Sequence, residues 1–195
     1  MAPVFPNFPD RRDPLWLKPF AERNHKMTTS FKLTKAELRE ILIRNWMTHD
    51  SLWYNEVAAK FGMAEARPMN LRVCRRLGRI EFKRLMKMVN AQPPANIEEY
   101  RQLFELARDT FVPDFMDFRI EYADNDTQLF QVEDCFAFRG MSKAGLISEY
   151  QCGIFERIEG WFDAMGLKYE RTPDLSRCLK FQGKECRIAV RFHFK

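Results

Sequence analysis

Hydrophobic residues in the first half of the chain recur at the 3.6-residue period of α-helices. The first predicted helix begins at Thr34, which stands three residues before Glu37 in the arrangement of a capping box. It ends at Phe61, because the following Gly62 suits the positive φ of a helix C-terminus. We expect one line of this helix to face the core: Leu38, Leu42, Trp46, His49, Trp53 and Val57.

Two more helices are predicted in the same half of the chain, over residues 65–89 and 97–111. After residue 113 the period changes to two, which is typical of strands with one buried face. Predicted strands cover residues 118–122, 128–138, 167–171, 177–181 and 185–194. One long helix, from about Lys143 to Met165, interrupts them.

This order of elements indicates an α+β fold, with N-terminal helices packed on a mostly antiparallel sheet crossed by one long helix. An extended proline-rich arm, residues 1–30, is predicted to precede a single domain, residues 31–195. The domain has a helical part, residues 31–113, and a sheet-and-helix part, residues 114–195. A chain of 195 residues with 46% apolar composition can bury one sizeable core.

Composition excludes several familiar kinds of site, because only eight glycines and three histidines occur. The sequence contains no G-x-G-x-x-G and no G-x-x-x-x-G-K-[ST], the loops that bind dinucleotides and phosphates. It also contains no G-x-S-x-G and no H-E-x-x-H, so serine-hydrolase and zincin chemistry are excluded.

Charge and hydropathy reduce the classes of partner that the protein is expected to bind. The net charge is +5, but the basic residues of the second helix surround most of its circumference, and no RNA-binding aromatic motif accompanies them. We therefore do not expect nucleic-acid binding. No run approaches the ~20 apolar residues of a membrane helix, so no membrane partner is expected. The first residues lack the apolar segment of a signal peptide, which predicts a cytoplasmic location.

A first candidate site lies on the predicted pair of N-terminal helices. Antiparallel pairing places His49 opposite Gly78 and about one turn from Glu81, with Asp50 at the margin. An imidazole beside carboxylates in an apolar pocket can act as a base or a metal ligand. The alternative is a buried histidine satisfied by Glu81 or by the backbone. The candidate ligand-binding residues here are Trp46, Trp53, Asn70 and Glu81.

A second candidate site consists of four of the five cysteines. Cys135 falls on a predicted strand, Cys152 on the long helix, and Cys178 and Cys186 flank the last hairpin. Four thiolates would complete a tetrahedral zinc or iron–sulfur site, although the spacings match no zinc-ribbon or ferredoxin pattern. Cysteines that only fill the core, and a reactive thiol, are the alternatives.

Cys152 is the strongest single candidate for a reactive thiol, because Gly153 beside it would let a ligand approach. A nucleophilic thiolate needs a nearby cation or base, for which Lys143 and Arg157 are the candidates in sequence. Cys152, His49 and Asp50 are therefore the candidate catalytic residues.

Two segments resemble known families. Residues 45–53 carry the pattern W-x-x-H-D-x-x-W, which resembles an uncharacterised bacterial family. Asp134-Cys135, residues 150–152 and residues 178–188 resemble the L-2-amino-thiazoline-4-carboxylic acid hydrolase family and, more distantly, 4-vinyl-reductase-like small-molecule-binding domains. The resemblance implies a strand that ends in an acidic residue and a cysteine, a cysteine-bearing helix, and two cysteines around a turn glycine before a closing strand. It implies the same α+β architecture.

These observations favour a cytoplasmic small-molecule- or metal-binding domain with a pocket between the helix pair and the sheet. A cysteine- or metal-dependent hydrolase of C–N bonds, as the thiazoline resemblance implies, is the second hypothesis. A basic interaction module that uses the second helix is the third. The expected cofactor, if any, is zinc or an iron–sulfur cluster, and the expected partners are a small-molecule ligand and a second copy of the chain in a homodimer.

Overall fold

The computed structural model describes residues 32–116 and 118–194. The compact unit that it describes begins at Lys35, and the predicted arm, residues 1–30, lies outside the described residues. The helices are α1 (Lys35–Phe61), α2 (Met63–Met88), α3 (Ile97–Phe111), α4 (Phe136–Lys143) and α5 (Gly153–Ala164). The strands are β1 (Phe118–Ala123), β2 (Thr127–Val132), β3 (Lys168–Thr172) and β4 (Cys186–His193).

The predicted α+β class is confirmed. The four strands form one sheet in the order β1-β2-β4-β3, and every neighbouring pair is antiparallel. Alternation places Ile188, Val190 and Phe192 of β4 on the buried face, while Arg187 and Arg191 lie on the other face. One face of the sheet is therefore covered and the other is exposed.

Helices α3 and α5 cover the buried face of the sheet through aromatic contacts. Tyr100 of α3 lies 4.4 Å from Phe192 between ring centroids, and Phe155 of α5 lies 5.3 Å from Phe130. These rings belong to the main apolar core. Rings at these separations contribute attraction beyond the area they bury.

A second close contact joins α2 to α5 at two glycines. A Cβ on Gly78 would overlap the carbonyl oxygen of Arg157 and would lie 3.2 Å from the Cα of Gly160. A Cβ on Gly160 would overlap the carbonyl oxygen of Arg75 and would lie 3.0 Å from the backbone nitrogen of Arg79. The two helix backbones therefore touch, which only glycine at both positions allows.

Buried charges secure the same helix pair. Glu81 of α2 accepts hydrogen bonds from Nε and Nη2 of Arg157, each at 2.7 Å, and from the indole nitrogen of Trp161 at 2.6 Å. Six residues earlier on α2, Arg75 pairs with Glu159 and with Asp163. Each buried carboxylate thus has a cation from the facing helix.

Four sequence predictions are wrong in detail. The strand predicted over residues 128–138 ends at Val132, because Cys135 caps a new helix, α4, and its sulfur accepts a hydrogen bond from the Phe138 amide at 3.4 Å. Cys135 therefore lies at a helix N-terminus rather than on a strand.

The helix predicted over residues 143–165 is interrupted. Gly145 has a φ of 73° and ends α4, and a short 3-10 helix, Ile147–Glu149, follows. Cys152 then caps α5, and its sulfur accepts from the Phe155 amide at 3.4 Å. The helical periodicity of the sequence continues across this break, and for that reason the sequence predicted one long helix.

The strand predicted over residues 177–181 is a series of turns. The amide of Gln182 bonds to the carbonyl of Cys178 at 3.2 Å, and the amide of Lys184 bonds to that of Leu179 at 3.0 Å. Leu179 is buried, and the apolar residues around it in the sequence gave the pattern of a strand. Cys178 consequently has no strand partner.

Most of the predicted inward line of the first helix is exposed, although Val57 packs against a small apolar cluster that includes Tyr54 and Ala58. Leu42 and Trp53 are 58% and 62% exposed, and the buried residues of α1 are Tyr54 and Ala58. The physical reason is that α5 occupies the Gly78 face of α2, so this face cannot receive α1. No helix among the described residues has both the length and the apolar character needed to cross a membrane.

We predict that Gly78→Ala and Gly160→Ala each lower the free energy of unfolding by about 1–3 kcal/mol, because the added methyl group meets backbone that has no room to move. Urea unfolding measures the change. Gly140→Ala is the control: an added Cβ there meets no atom within 4 Å, so it should be neutral or should stabilise α4 by about 0.5–1 kcal/mol. Equal stability of all three variants would contradict the backbone contact.

We predict that Glu81→Gln lowers the free energy of unfolding by about 3–5 kcal/mol, because Arg157 is left buried without its counter-charge. Glu133→Gln is the matched control, since its ion pair with Arg119 is exposed and should contribute less than about 1 kcal/mol. Losses of the same size in both variants would show that burial of the Glu81 pair does not matter.

Candidate functional site

A cleft of about 160 Å³ opens among α1, α2, α4 and α5, and we name it the Asp50 cleft. Its polar and aromatic lining includes Trp46, Asp50, Asn70, Cys74, Tyr150 and Arg157. Its apolar lining includes Met47, Met116, Phe136, Met141 and Ile154. Asp50 and Arg157 are the charged residues among the lining residues.

Asp50 lies in this cleft without a hydrogen bond or ion pair to any described residue. Burial raises the pKa of Asp50 above its ordinary value, and the charges of Arg157 and His49 oppose this shift. The carboxylate is therefore partly removed from water and still has free hydrogen-bond acceptors.

Arg157 is held from two sides. Glu81 accepts from its Nε and Nη2, while the guanidinium carbon lies 4.7 Å from the ring centroid of Trp46. A guanidinium so placed gains cation–π attraction. Because Glu81 neutralises Arg157, the charge of Asp50 is left to dominate the cleft.

The remaining polar groups of the cleft are neutral. Burial, helped by Asp50, raises the pKa of the Cys74 thiol to about 12. Its sulfur donates to Oδ1 of Asn70 over 3.8 Å. The hydroxyl of Tyr150 accepts from the Gly153 amide at 3.3 Å, and burial keeps the pKa of Tyr150 well above its ordinary value.

A second cavity, of about 50 Å³, lies between α5 and the sheet, and we name it the thiol cavity. Cys135, Cys152 and Cys186 line it among apolar side chains. Met116, Phe136 and Ile154 line both this cavity and the Asp50 cleft. The single pocket predicted from the sequence is therefore two adjoining spaces.

All five cysteines are free thiols. Burial raises the pKa of Cys186 to about 11 and that of Cys152 far above its ordinary value, and the neighbouring thiols add to both shifts. Burial also raises the pKa of Cys135, with Cys178 contributing. Thiols with raised pKa values are protonated at neutral pH and are weak nucleophiles.

The structure therefore brings the four predicted cysteines into one neighbourhood. Over residues 32–116 and 118–194, however, no group of three or more His, Cys, Asp or Glu side chains has the arrangement of a metal site. The zinc or iron–sulfur cofactor remains a prediction.

The W-x-x-H-D-x-x-W segment divides between two surfaces. Trp46 and Asp50 line the Asp50 cleft, whereas His49 and Trp53 are exposed and are bonded to each other, with Trp53 Nε1 donating to His49 Nε2 at 3.2 Å. Among the other predicted residues, Asn70 lines the cleft and Glu81 lies behind it, bonded to Arg157. The expectation that His49 faces the core is wrong.

The sequence suggested Arg157 only as a partner for Cys152. It did not predict that Arg157 lines the Asp50 cleft and pairs with Glu81. It also missed Tyr150 and the apolar wall from α4, because α4 was predicted as the end of a strand. The signal that could have found Arg157 is the glycine pair, since Gly160 follows Arg157 by three residues on α5. Close contact at Gly160 brings this turn of α5 against α2.

A comparison with curated proteins finds no match. A family model with the description "Family of unknown function (DUF6125)" matches residues 29–164, more than half of the chain. The matched range includes the whole W-x-x-H-D-x-x-W segment, Cys135 and Cys152, but not Cys178 or Cys186. These comparisons give no support to the thiazoline-hydrolase and vinyl-reductase resemblances, whereas the resemblance to an uncharacterised family is confirmed. The chain belongs to DUF6125, a family of unknown function.

Proposed function

We propose that this protein is a small-molecule-binding domain and that its ligand occupies the Asp50 cleft. The observation that carries this proposal is a partly buried carboxylate without a hydrogen-bond partner in a cleft with apolar walls. No side-chain nitrogen or oxygen of the described residues is fully buried without a partner, so the half-buried carboxylate of Asp50 keeps contact with water and has acceptors that a ligand can use. A bound ligand would supply the partner that Asp50 lacks.

The composition of the cleft also fits a ligand site. Binding sites combine apolar walls, which give affinity, with a few polar groups, which orient the ligand. The methionines Met47, Met116 and Met141 and the ring of Phe136 form the apolar part. Methionine side chains adapt to the shape of an aromatic or aliphatic ligand.

The hydrolase hypothesis receives less support from the geometry. Cys152 is a helix cap with a strongly raised pKa, and Arg157, its candidate cation, is committed to Glu81. A protonated thiol without a base does not attack a carbon centre at neutral pH. The hydrolase and the basic interaction module both stay predictions.

We predict that neutral one-ring and two-ring compounds bind in the Asp50 cleft. Benzamide and indole, titrated into ¹⁵N-labelled protein, should shift amide signals of residues on α1, α2 and α5 that line the cleft. Ser51→Trp should weaken this binding at least about tenfold, because Ser51 lines the cleft and the indole would fill part of it.

Thr48→Trp is the matched control, since Thr48 lies one turn away on the exposed side of α1, outside the cleft lining. It should leave binding unchanged. Shifts that fall elsewhere on the protein, or equal weakening by both variants, would contradict the proposed site.

A second candidate function is uptake of a soft metal ion by the cysteines Cys135, Cys152, Cys178 and Cys186. It is favoured by one observation: three of these side chains line a single cavity, and the fourth is close enough to influence their pKa values. Thiolates are ligands for zinc and copper(I), and binding would release their protons.

We predict for this candidate that anaerobic protein binds one equivalent of Zn²⁺ in competition with a chromophoric chelator, and that Cys186→Ser lowers the affinity at least about tenfold. Cys74→Ser should leave the affinity unchanged, because Cys74 lies in the Asp50 cleft rather than in the thiol cavity. Absence of stoichiometric zinc, or equal loss in both variants, would exclude the metal.

A further inference from the structure

We infer that the ligand of the Asp50 cleft is a small aromatic cation, with a positively charged nitrogen group on the Asp50 carboxylate and an aromatic ring against the methionine and phenylalanine wall. This inference rests on the proposed function, because it assumes that the cleft is the binding site. It adds the chemical class of the ligand.

The expected charge of the ligand follows from the ion pairing of the two charged lining residues, Asp50 and Arg157. Nε and Nη2 of Arg157 each donate to one carboxylate oxygen of Glu81 at 2.7 Å. The charge of Arg157 is therefore already neutralised. Asp50 has no such partner among the described residues. The cleft therefore presents one uncompensated negative charge, which favours a cation.

An anionic ligand is disfavoured for the same reason. An anion bonded to the remaining N–H groups of Arg157 would meet a guanidinium that Glu81 already neutralises, and it would share the cleft with the Asp50 carboxylate. Like charges in a partly desolvated site repel each other. The face of the guanidinium is also covered by the Trp46 ring, at 4.7 Å.

The size and the walls of the cleft indicate an aromatic body. A volume of about 160 Å³ is close to that of a cavity that holds benzene, about 150 Å³. The lining includes three methionines, Met47, Met116 and Met141, and the aromatic residue Phe136. Sulfur–aromatic and ring–ring contacts favour an aromatic ring over a branched aliphatic group.

The neutral groups of the cleft have secondary roles. Oδ1 of Asn70 already accepts from the Cys74 thiol, and the Tyr150 hydroxyl already accepts from the Gly153 amide. Each of these two oxygens already accepts one hydrogen bond. The carboxylate of Asp50 is therefore the strongest free acceptor that a ligand would meet.

The test compares three probes of one size: benzamidine, a cation; benzamide, its neutral counterpart; and benzoate, an anion. Isothermal titration with the full chain at low and at moderate salt measures the dissociation constants. We expect benzamidine to bind at least about tenfold more tightly than benzamide and benzoate to bind more weakly than benzamide. The preference for benzamidine should decrease as salt increases.

Variants assign the preference to one residue. Asp50→Asn should remove the advantage of benzamidine over benzamide, because the asparagine amide keeps the shape of the side chain but not its charge. Glu56→Gln is the matched control, because Glu56 is an exposed carboxylate on the same helix and lies outside the cleft lining. It should retain the full advantage. The comparison of the three probes on the unmodified protein does not depend on whether the variants fold.

The outcomes separate the inference from the proposed function. Equal affinity for benzamidine and benzamide, with both sensitive to Ser51→Trp, would overturn the cationic class and leave the binding site standing. Tighter binding of benzoate would likewise overturn it. Absence of binding by all three probes would overturn both the inference and the proposed function.

Discussion

The close contact between the backbones of α2 and α5 is the constraint on which the rest of this structure depends. Gly78 and Gly160 face each other, so that neither position has room for a Cβ. The contact brings Glu81 within reach of Arg157 and Trp161, and Arg75 within reach of Glu159 and Asp163. Ion pairs of this kind stabilise only when their geometry is fixed, and the glycine contact fixes it.

The same contact shapes the candidate site. With α5 seated on the glycine face of α2, α1 packs beside the pair through Tyr54 and Ala58 and leaves the Asp50 cleft between the helices. Glu81 holds the guanidinium of Arg157 in an ion pair. Because this ion pair neutralises Arg157, Asp50 is left as the uncompensated charge of the cleft lining.

Local sequence patterns predicted much of the fold. The α3 bounds, the turn at Gly62 and the alternation of β4 all follow from short-range rules, and the structure confirms them. The break between α4 and α5 could not be predicted, because Cys135 and Cys152 act as helix caps although cysteine is not a usual capping residue. Of the residues that line the Asp50 cleft, the sequence predicted Trp46, Asp50 and Asn70 as candidates, but the partner of Glu81 depends on a helix contact that periodicity does not encode.

Asp50 is a half-buried carboxylate without a partner among the described residues. A pH titration of its ¹³C-labelled carboxyl group by NMR, with and without benzamidine, tests this claim directly. We predict a pKa of Asp50 above the ordinary value of 3.8 in the free protein and a lower pKa when the cation is bound. A pKa at or below 3.8 in the free protein, unchanged by benzamidine, would mean that the carboxylate is already paired and would contradict the account.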